Sequence, residues 1–254
     1  MGTSVVDRGA FFVAIRIFFS YIIIMNNEVI IRKAQEAFTD PQTMYKSILE
    51  FQQLLMLYDA GIKQITTKFD ILQEEFNTTH QRNPIEAIHS RIKDPMSIIE
   101  KLGRKHLSVS YQNIVENLSD VAGVRVVCPF ISDVYHVAKM ITTQNDINLI
   151  QVKDYIKEPK PNGYRSLHLI VNVDVYLSEQ KHIIPVEIQI RTIAMDFWAS
   201  LEHQLHYKKD FKMPDNVDSE LKNCADIIAE TDNRMQNLAK NLPNFKDYSE
   251  DSNL

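Results

Sequence analysis

From Thr43 to about Thr79, apolar residues return every three or four positions. Ile62, Ile65, Phe69, Leu72 and Phe76 fall on one face, which predicts a long amphipathic helix. Asn83-Pro84 followed by Glu86 reads as a second helix start, with a side-chain cap, proline at the first helical position and an acid in the first turn. A short strand or turn at Arg91–Lys93 then leads into a helix from about Pro95 to Lys105. Val124-Arg-Val-Val-Cys-Pro-Phe130 has the apolar run of a buried strand, and a helix over Asp133–Thr143 follows it. Further strands are predicted near Ile147–Val152, Arg165–Val175 and His182–Arg191. Between the first two lies a loop, Lys157–Gly163, with two prolines and a glycine. Ile193–Tyr207 is helical, Asp218–Leu242 forms a last amphipathic helix, and the tail beyond it is polar.

These elements make an α/β (α+β) chain: a mixed β-sheet flanked by helices, with helical arms. Strand alternation then sorts the side chains. In Val186–Arg191 the apolar Val186, Ile188 and Ile190 face one side, while Glu187, Gln189 and Arg191 face the other. An acid, an amide and a cation in successive positions pack poorly against a helix but make a good floor for a polar site. Ser166 and His168 share a face of their strand, so His168 can join that floor.

The net charge of −5 gives the whole chain no pull on nucleic acid or anionic lipid, so any phosphate site must come from local clustering of cations. Cys128 and Cys224 lie far apart without metal-ligand spacing and read as reduced thiols of a cytoplasmic protein. Phe11–Ile24 is strongly apolar but short for a membrane span and interrupted by Arg16; it reads as an upstream extension ahead of Met25, an anchoring segment or an export signal. The organisation expected is an apolar extension over 1–24, a helical region over 25–82, a catalytic core over 83–210, and a C-terminal helix with a polar tail over 211–254.

Three groups of residues carry candidate chemistry. Residues 91–105 hold five cations against two acids. Arg91 and Lys93 share a face if extended; Ser97, Lys101, Arg104 and Lys105 share one if helical. Such a cluster suits a triphosphate, although a solvated basic helix face would look the same. Asp120, just before a buried strand, and Glu187, in the middle of another, could supply carboxylates to a magnesium ion. In Lys160-Pro-Asn-Gly-Tyr-Arg-Ser-Leu-His168 a glycine allows close backbone approach, Tyr164 offers a flat face for a base, and Lys160 and Arg165 could hold phosphates. The bland reading of that stretch is an ordinary loop with a core tyrosine.

Together these segments resemble the synthetase domain of the RelA/SpoT family of alarmone synthetases, over about Asn83 to Tyr207. The resemblance rests on Arg91-Ile-Lys93 with Ser97 and Glu100-Lys101, on Asp120-Val-Ala-Gly-Val-Arg125, and on Lys153-Asp154-Tyr155-Ile156. It continues through Lys160–His168 and Val186-Glu-Ile-Gln-Ile-Arg-Thr192, with Trp198, Glu202 and His203. It implies a nucleotidyltransferase-like fold and transfer of pyrophosphate from ATP to the 3′-hydroxyl of GDP or GTP, giving ppGpp or pppGpp with Mg2+ as cofactor. The resemblance assigns the ATP phosphates to Arg91, Lys93, Ser97, Lys101, Arg104, Lys105 and Arg125. It assigns the metal and the catalytic carboxylates to Asp120 and Glu187, Glu187 also being the candidate for drawing the proton from the acceptor hydroxyl. Lys153, Lys160, Tyr164, His168 and Gln189 fall to the guanine nucleotide, Tyr164 stacking on the base.

No His-Asp hydrolase module precedes this region and no regulatory domains follow it, so the chain looks like a small alarmone synthetase, a type commonly homotetrameric. Two positions depart from the family pattern. Gln151 stands where bifunctional members carry arginine, which leaves the preference between GDP and GTP open. Asp196 stands where relatives often have Asn or His, and could accept hydrogen bonds from guanine. Three rival readings remain: a relative that pyrophosphorylates the 3′ end of tRNA, a catalytically silent nucleotide sensor, and a membrane-anchored regulator. Against the first, the last helix carries Glu220, Asp226, Glu230 and Asp232, and neither a nucleic-acid partner nor a membrane is expected.

Overall fold

The computed structural model describes residues 41–80, 82–207, 216–242 and 245; the apolar run Phe11–Ile24 lies outside these, and with it the choice among its readings. Among the described residues no helix is long and apolar enough to cross a membrane. The chain divides into two compact units. One takes the described residues up to Met56 together with Asp94–Ile114; the other takes Leu57–Lys93 and the described residues from Val115 on.

The second unit is built on five strands: β1 (Ala87–Ile92), β2 (Ala122–Cys128), β3 (Ile147–Asp154), β4 (Leu167–Tyr176) and β5 (Lys181–Thr192). Their spatial order is β1-β2-β5-β4-β3. Only β2 and β5 run parallel, the other neighbours being antiparallel, so the sheet is mixed as the pattern predicts. Val124, Val126, Val186, Ile188, Ile190, Leu167, Leu169, Val171 and Val173 are all buried. The register places them on one face of β2, β5 and β4.

Two helices cover that apolar face. The long helix α1 (Pro41–Thr79) buries Ile62, Ile65, Phe69 and Phe76 in the periodicity read from sequence, with Leu72 half-buried. It comes close because Gly61 has no side chain: a Cβ there would lie 3.0 Å from Ile184 Cγ2 and 3.3 Å from Val186 Cγ2. Beside α1, Phe76 meets His136 of α4 (Ile131–Thr142) edge to face. From α4 the Tyr135 hydroxyl donates to the Asp154 carboxylate at the end of β3. The start of α4 is held by Asp133, fully buried and gripped by both terminal nitrogens of Arg82.

One expectation is overturned. Asn83-Pro84 does not begin a helix; it leads into β1. The Asn83 side chain accepts from the Ile85 N–H (2.9 Å), and the Glu86 N–H already pairs with the Val127 carbonyl (2.8 Å). A short side chain accepting from an N–H two residues on serves an Asx turn as well as a helix cap. Here pairing with β2 captures the segment. A short helix that the pattern reading passed over, α3 (Tyr111–Asn117), has Ser110 accepting from the Asn113 N–H at its start.

In the first unit, α2 (Pro95–Arg104) has Asp94 as its cap, accepting from the Met96 and Ser97 N–H groups. The remaining helices are α5 (Ile193–Tyr207) and α6 (Val217–Lys240), close to the boundaries read from sequence.

Candidate active site

The face of the sheet opposite α1 and α4 carries polar side chains, and strand register brings them into rows. Gly123 pairs with Glu187 and Arg125 with Gln189 across the parallel β2–β5 pair. Arg91 pairs with Gly123 and His89 with Arg125 across β1–β2. His168 pairs with Gln189 on one side and with Lys153 on the other. Alternation therefore sets Arg91, Arg125, Glu187, Gln189, Arg191, His168 and Lys153 on one surface, although they come from five strands.

At its centre five side chains close a hydrogen-bonded ring. Arg191 donates to the Tyr164 hydroxyl (2.6 Å) and to Gln189 Oε1 (2.9 Å). Gln189 Nε2 donates to Glu187 Oε2 (2.8 Å). His168 Nδ1 lies 3.1 Å from Glu187 Oε1, and its Nε2 lies 2.8 Å from the Tyr164 hydroxyl. Glu187 accepts only, so the network assigns the imidazole proton to Nδ1 and leaves Nε2 to accept from Tyr164.

The ring fixes the charge states. Burial pushes the His168 imidazole below its ordinary value of 6.5, against the pull of Glu187, and keeps it neutral at pH 7. Burial pushes the Glu187 carboxyl up, but the hydrogen bonds from His168 and Gln189 outweigh it, and the group lies below the ordinary carboxylate range. Asp120 acts on Glu187 in the opposite sense, so the two carboxylates are within electrostatic reach of each other. Asp120 sits just before β2 and takes an ion pair from Lys93 Nζ at 3.0 Å. Carboxylates are hard oxygen donors of the kind magnesium takes beside phosphate, so the donor chemistry of this pair suits a divalent ion.

Cations crowd the neighbouring rows. Burial lowers the Arg125 pKa, and the nearby charges of Arg191 and Arg91 lower it further. The Asp196 carboxylate offsets this, its Oδ1 lying 3.1 Å from Arg125 and 3.2 Å from Arg191. Arg125 and Arg191 thus share one carboxylate, with the Arg91 charge close to Arg125. Arg125 Nε is buried with no acceptor among the described residues. That arrangement can take phosphate oxygens.

The loop between β3 and β4 lies beside the ring. Lys160 Nζ stands over the Tyr155 and Tyr164 rings, at 4.6 and 4.7 Å from their centroids. The structure thus brings together Arg91, Lys93, Asp120, Arg125, Lys153, Lys160, Tyr164, His168, Glu187, Gln189 and Asp196 in one unit. Ser97, Lys101, Arg104 and Lys105 belong to the other unit, on a face of α2 and its C-terminus distinct from the buried Ile98 and Leu102.

Arg165 does not point its guanidinium at a phosphate position. It donates to the Ala225 carbonyl (3.2 Å) and pairs with Asp226 (3.6 Å), because α6 passes behind the loop. Asp196, a candidate for guanine, is paired with Arg125 and Arg191. Arg191 was read from sequence only as part of a polar strand face. Its role as the hub of the ring depends on Tyr164, which reaches it from another element.

The chain matches the model described as a region found in RelA / SpoT proteins over residues 90–212. It is 43% identical over 198 residues to the GTP pyrophosphokinase YwaC of Bacillus subtilis, covering 78% of this chain and 94% of that protein. The crystal structure of small alarmone synthetase 2 from Bacillus subtilis superposes with a TM-score of 0.69 at 42% identity, over 76% of this chain and 100% of that one. Small alarmone synthetase 1 from the same organism, solved with its product pppGpp bound, gives a TM-score of 0.71 at 31% identity, over 76% of this chain and 97% of that one.

Proposed function

Because this chain belongs to the RelA/SpoT family, we propose that its polar sheet face transfers the β,γ-pyrophosphate of ATP to the 3′-hydroxyl of GDP or GTP, forming ppGpp or pppGpp and releasing AMP. One observation carries this reading: the Asp120 and Glu187 carboxylates stand within electrostatic reach of each other beside the Arg91, Arg125 and Arg191 guanidiniums.

Phosphoryl-type transfer leaves a protein little covalent work, so positioning and charge neutralisation dominate. Arg91, Lys93 and Arg125 hold the ATP phosphates, and the resemblance gives Ser97, Lys101, Arg104 and Lys105 of α2 the same task. Asp120 and Glu187 would hold magnesium, which supplies charge neutralisation at the phosphate oxygens. Lys153, Lys160, Tyr164, His168 and Gln189 hold the guanine nucleotide so that its 3′-oxygen faces the β-phosphorus. As that oxygen bonds to the phosphorus, the bridge to the α-phosphate breaks, AMP carries off the bridging oxygen, and the 3′ proton passes to Glu187. A carboxylate below its ordinary range that already accepts from two donors is a weak base. It takes that proton late, once bonding to phosphorus has made it acidic. Fixing two substrates in line can lower the barrier by about 7–11 kcal/mol.

Two finer readings accompany this one. Cys128 and Cys224 are both free thiols, which suits the cytoplasm. Ile193, Phe197, Leu201 and Leu205 recur at four-residue intervals on α5, all exposed, which suits burial between subunits of a homotetramer.

The test is direct. Purified protein is incubated with ATP, Mg2+ and GDP, GTP or uncharged tRNA, and products are separated by chromatography. A 3′-pyrophosphorylated guanine nucleotide with AMP in equal amount is expected. Labelled tRNA with no nucleotide product would replace this reading with the tRNA one.

A further inference from the structure

The loop that carries Tyr164 is fixed from behind. Gly163 donates to the Lys160 carbonyl (2.8 Å) and Lys160 to the Tyr164 carbonyl (3.1 Å), so Lys160–Tyr164 closes on itself as a tight turn. The turn requires a φ of +89° at Gly163, a conformation glycine adopts without strain. A second constraint on that residue is spatial. A Cβ at Gly163 would lie 2.5 Å from Ala225 Cβ and 3.2 Å from Lys222 Cδ, so its backbone rests directly on α6.

Three consecutive loop residues meet α6 around one position. Gly163 abuts Ala225, which is itself buried. Tyr164 packs against the cluster of Trp198, Ala199 and Ala225, with Leu221 and Ile228 beside it. Arg165 donates to the Ala225 carbonyl and pairs with Asp226. Trp198 Nε1 donates in turn to the Leu221 carbonyl (2.9 Å), tying α5 to the same stretch of α6. The loop also reaches α5, through Tyr164 against Trp198 and Ala199 and through a longer contact from Asn162 to Glu202 at 3.4 Å.

From this geometry we infer that Ala225 is a positioning residue for the acceptor nucleotide: α6 sets where the Tyr164 ring stands, and with it the hydrogen-bonded ring that reaches Glu187. The inference rests on the assignment of Tyr164 to the guanine nucleotide. Ala225 touches no reacting atom. Its small side chain is the spacing that lets Gly163 seat, and a larger one pushes the loop towards the site.

The test compares wild type with Ala225→Leu, Ala225→Gly and Arg165→Gln, with Glu230→Gln on the exposed side of α6 as control. KM and kcat are measured while GDP and ATP are varied separately. Emission from Trp198, the one tryptophan of the chain, reports docking without substrate. A displacement of about 1 Å at a positioning element can cost about 100-fold, so Ala225→Leu should lower kcat/KM for the guanine nucleotide by about 10- to 100-fold. The KM for ATP should stay near wild type, and Trp198 emission should shift to the red. Ala225→Gly, which keeps the space, should stay near wild type in both.

An unchanged guanine-nucleotide KM and unchanged emission in a folded Ala225→Leu protein would overturn the inference, as would equal loss towards both substrates. Should that variant lose its cooperative thermal transition, Arg165→Gln decides alone: a KM rise confined to the guanine nucleotide supports the clamp, and no rise overturns it. If wild type makes no product from either acceptor, the catalytic reading falls, while the emission comparison still shows whether α6 seats the loop.

Discussion

His168 stands between Tyr164 and Glu187, with Nε2 2.8 Å from the tyrosine hydroxyl and Nδ1 3.1 Å from the carboxylate. A neutral imidazole satisfies both neighbours, one as acceptor and one as donor. An imidazolium donates at both nitrogens, so protonation turns Tyr164 from donor to acceptor and sets it against the Arg191 donor at the same oxygen.

The pH dependence follows with its sign. Burial lowers the folded-state pKa of His168 below 6.5, so as pH falls through that window the unfolded chain takes the proton first. Stability is lost in the same direction. Activity with the guanine nucleotide should be level above pH 6.5 and decline on an acid limb that lies below it. His168→Asn, which still offers an N–H to Glu187, should lower the plateau and remove the limb. An acid limb of unchanged position in that variant would assign it to another group.

Glu187 accepts from His168 at one oxygen and from Gln189 at the other. Replacing it with glutamine removes the charge and turns an amide N–H₂ towards one of those donors. The mismatch should cost about 1–3 kcal/mol of stability, which leaves a folded protein. The loss of activity should be larger, with kcat down at least about 100-fold. Asp120→Ala should cost as much activity, since the proposed function has the two carboxylates hold one metal ion together. Purified, folded variants that turn over like wild type would remove both residues from the chemistry.

Most of this surface was legible in the chain because β-strands obey a period of two. Glu187, Gln189 and Arg191 declare a polar face by alternation alone, and His168 joins it for the same reason. Pairing is what alternation leaves out. That Gly123 lies opposite Glu187, bringing Asp120 near, depends on the parallel β2–β5 register, which strands distant in sequence settle only on folding. Asn83-Pro84 misled because a cap and an Asx turn use the same local hydrogen bond. Arg165 misled because its partners, Ala225 and Asp226, lie on α6, 60 residues further on in the case of the Ala225 carbonyl.

Tyr164 holds two tasks that substitution can separate. Its ring lies beside Lys160 and Tyr155, and its hydroxyl links Arg191 to His168. Tyr164→Ala removes both. Base stacking on an aromatic side chain is worth about 1–3 kcal/mol, so the KM for the guanine nucleotide should rise about 5- to 150-fold while that for ATP stays within about twofold. Tyr164→Phe keeps the ring and removes the link. It should spare most of that affinity, yet lower kcat by loosening His168 against Glu187. Equal weakening of both substrates in Tyr164→Ala would make the residue a structural one.

Asp232 offers a test of the frame rather than of the chemistry. It is buried on α6 and accepts from the Thr192 hydroxyl (2.7 Å), whose oxygen in turn accepts from the Met195 N–H at the start of α5 (3.1 Å). Burial raises the Asp232 carboxyl above its ordinary 3.8, and the Thr192 hydrogen bond offsets this only in part. The folded protein therefore holds this proton more tightly than the unfolded chain, and stability falls as pH rises through 3.8 towards the folded value. Asn at this position keeps an acceptor for Thr192 and has no charge to bury. Thermal melts should place Asp232→Asn above wild type at pH 7, with the gap closing below pH 3.8. A variant that melts lower than wild type at pH 7 would mean that the Asp232 carboxylate is held ionised, by a partner whose attraction exceeds the cost of burying the charge.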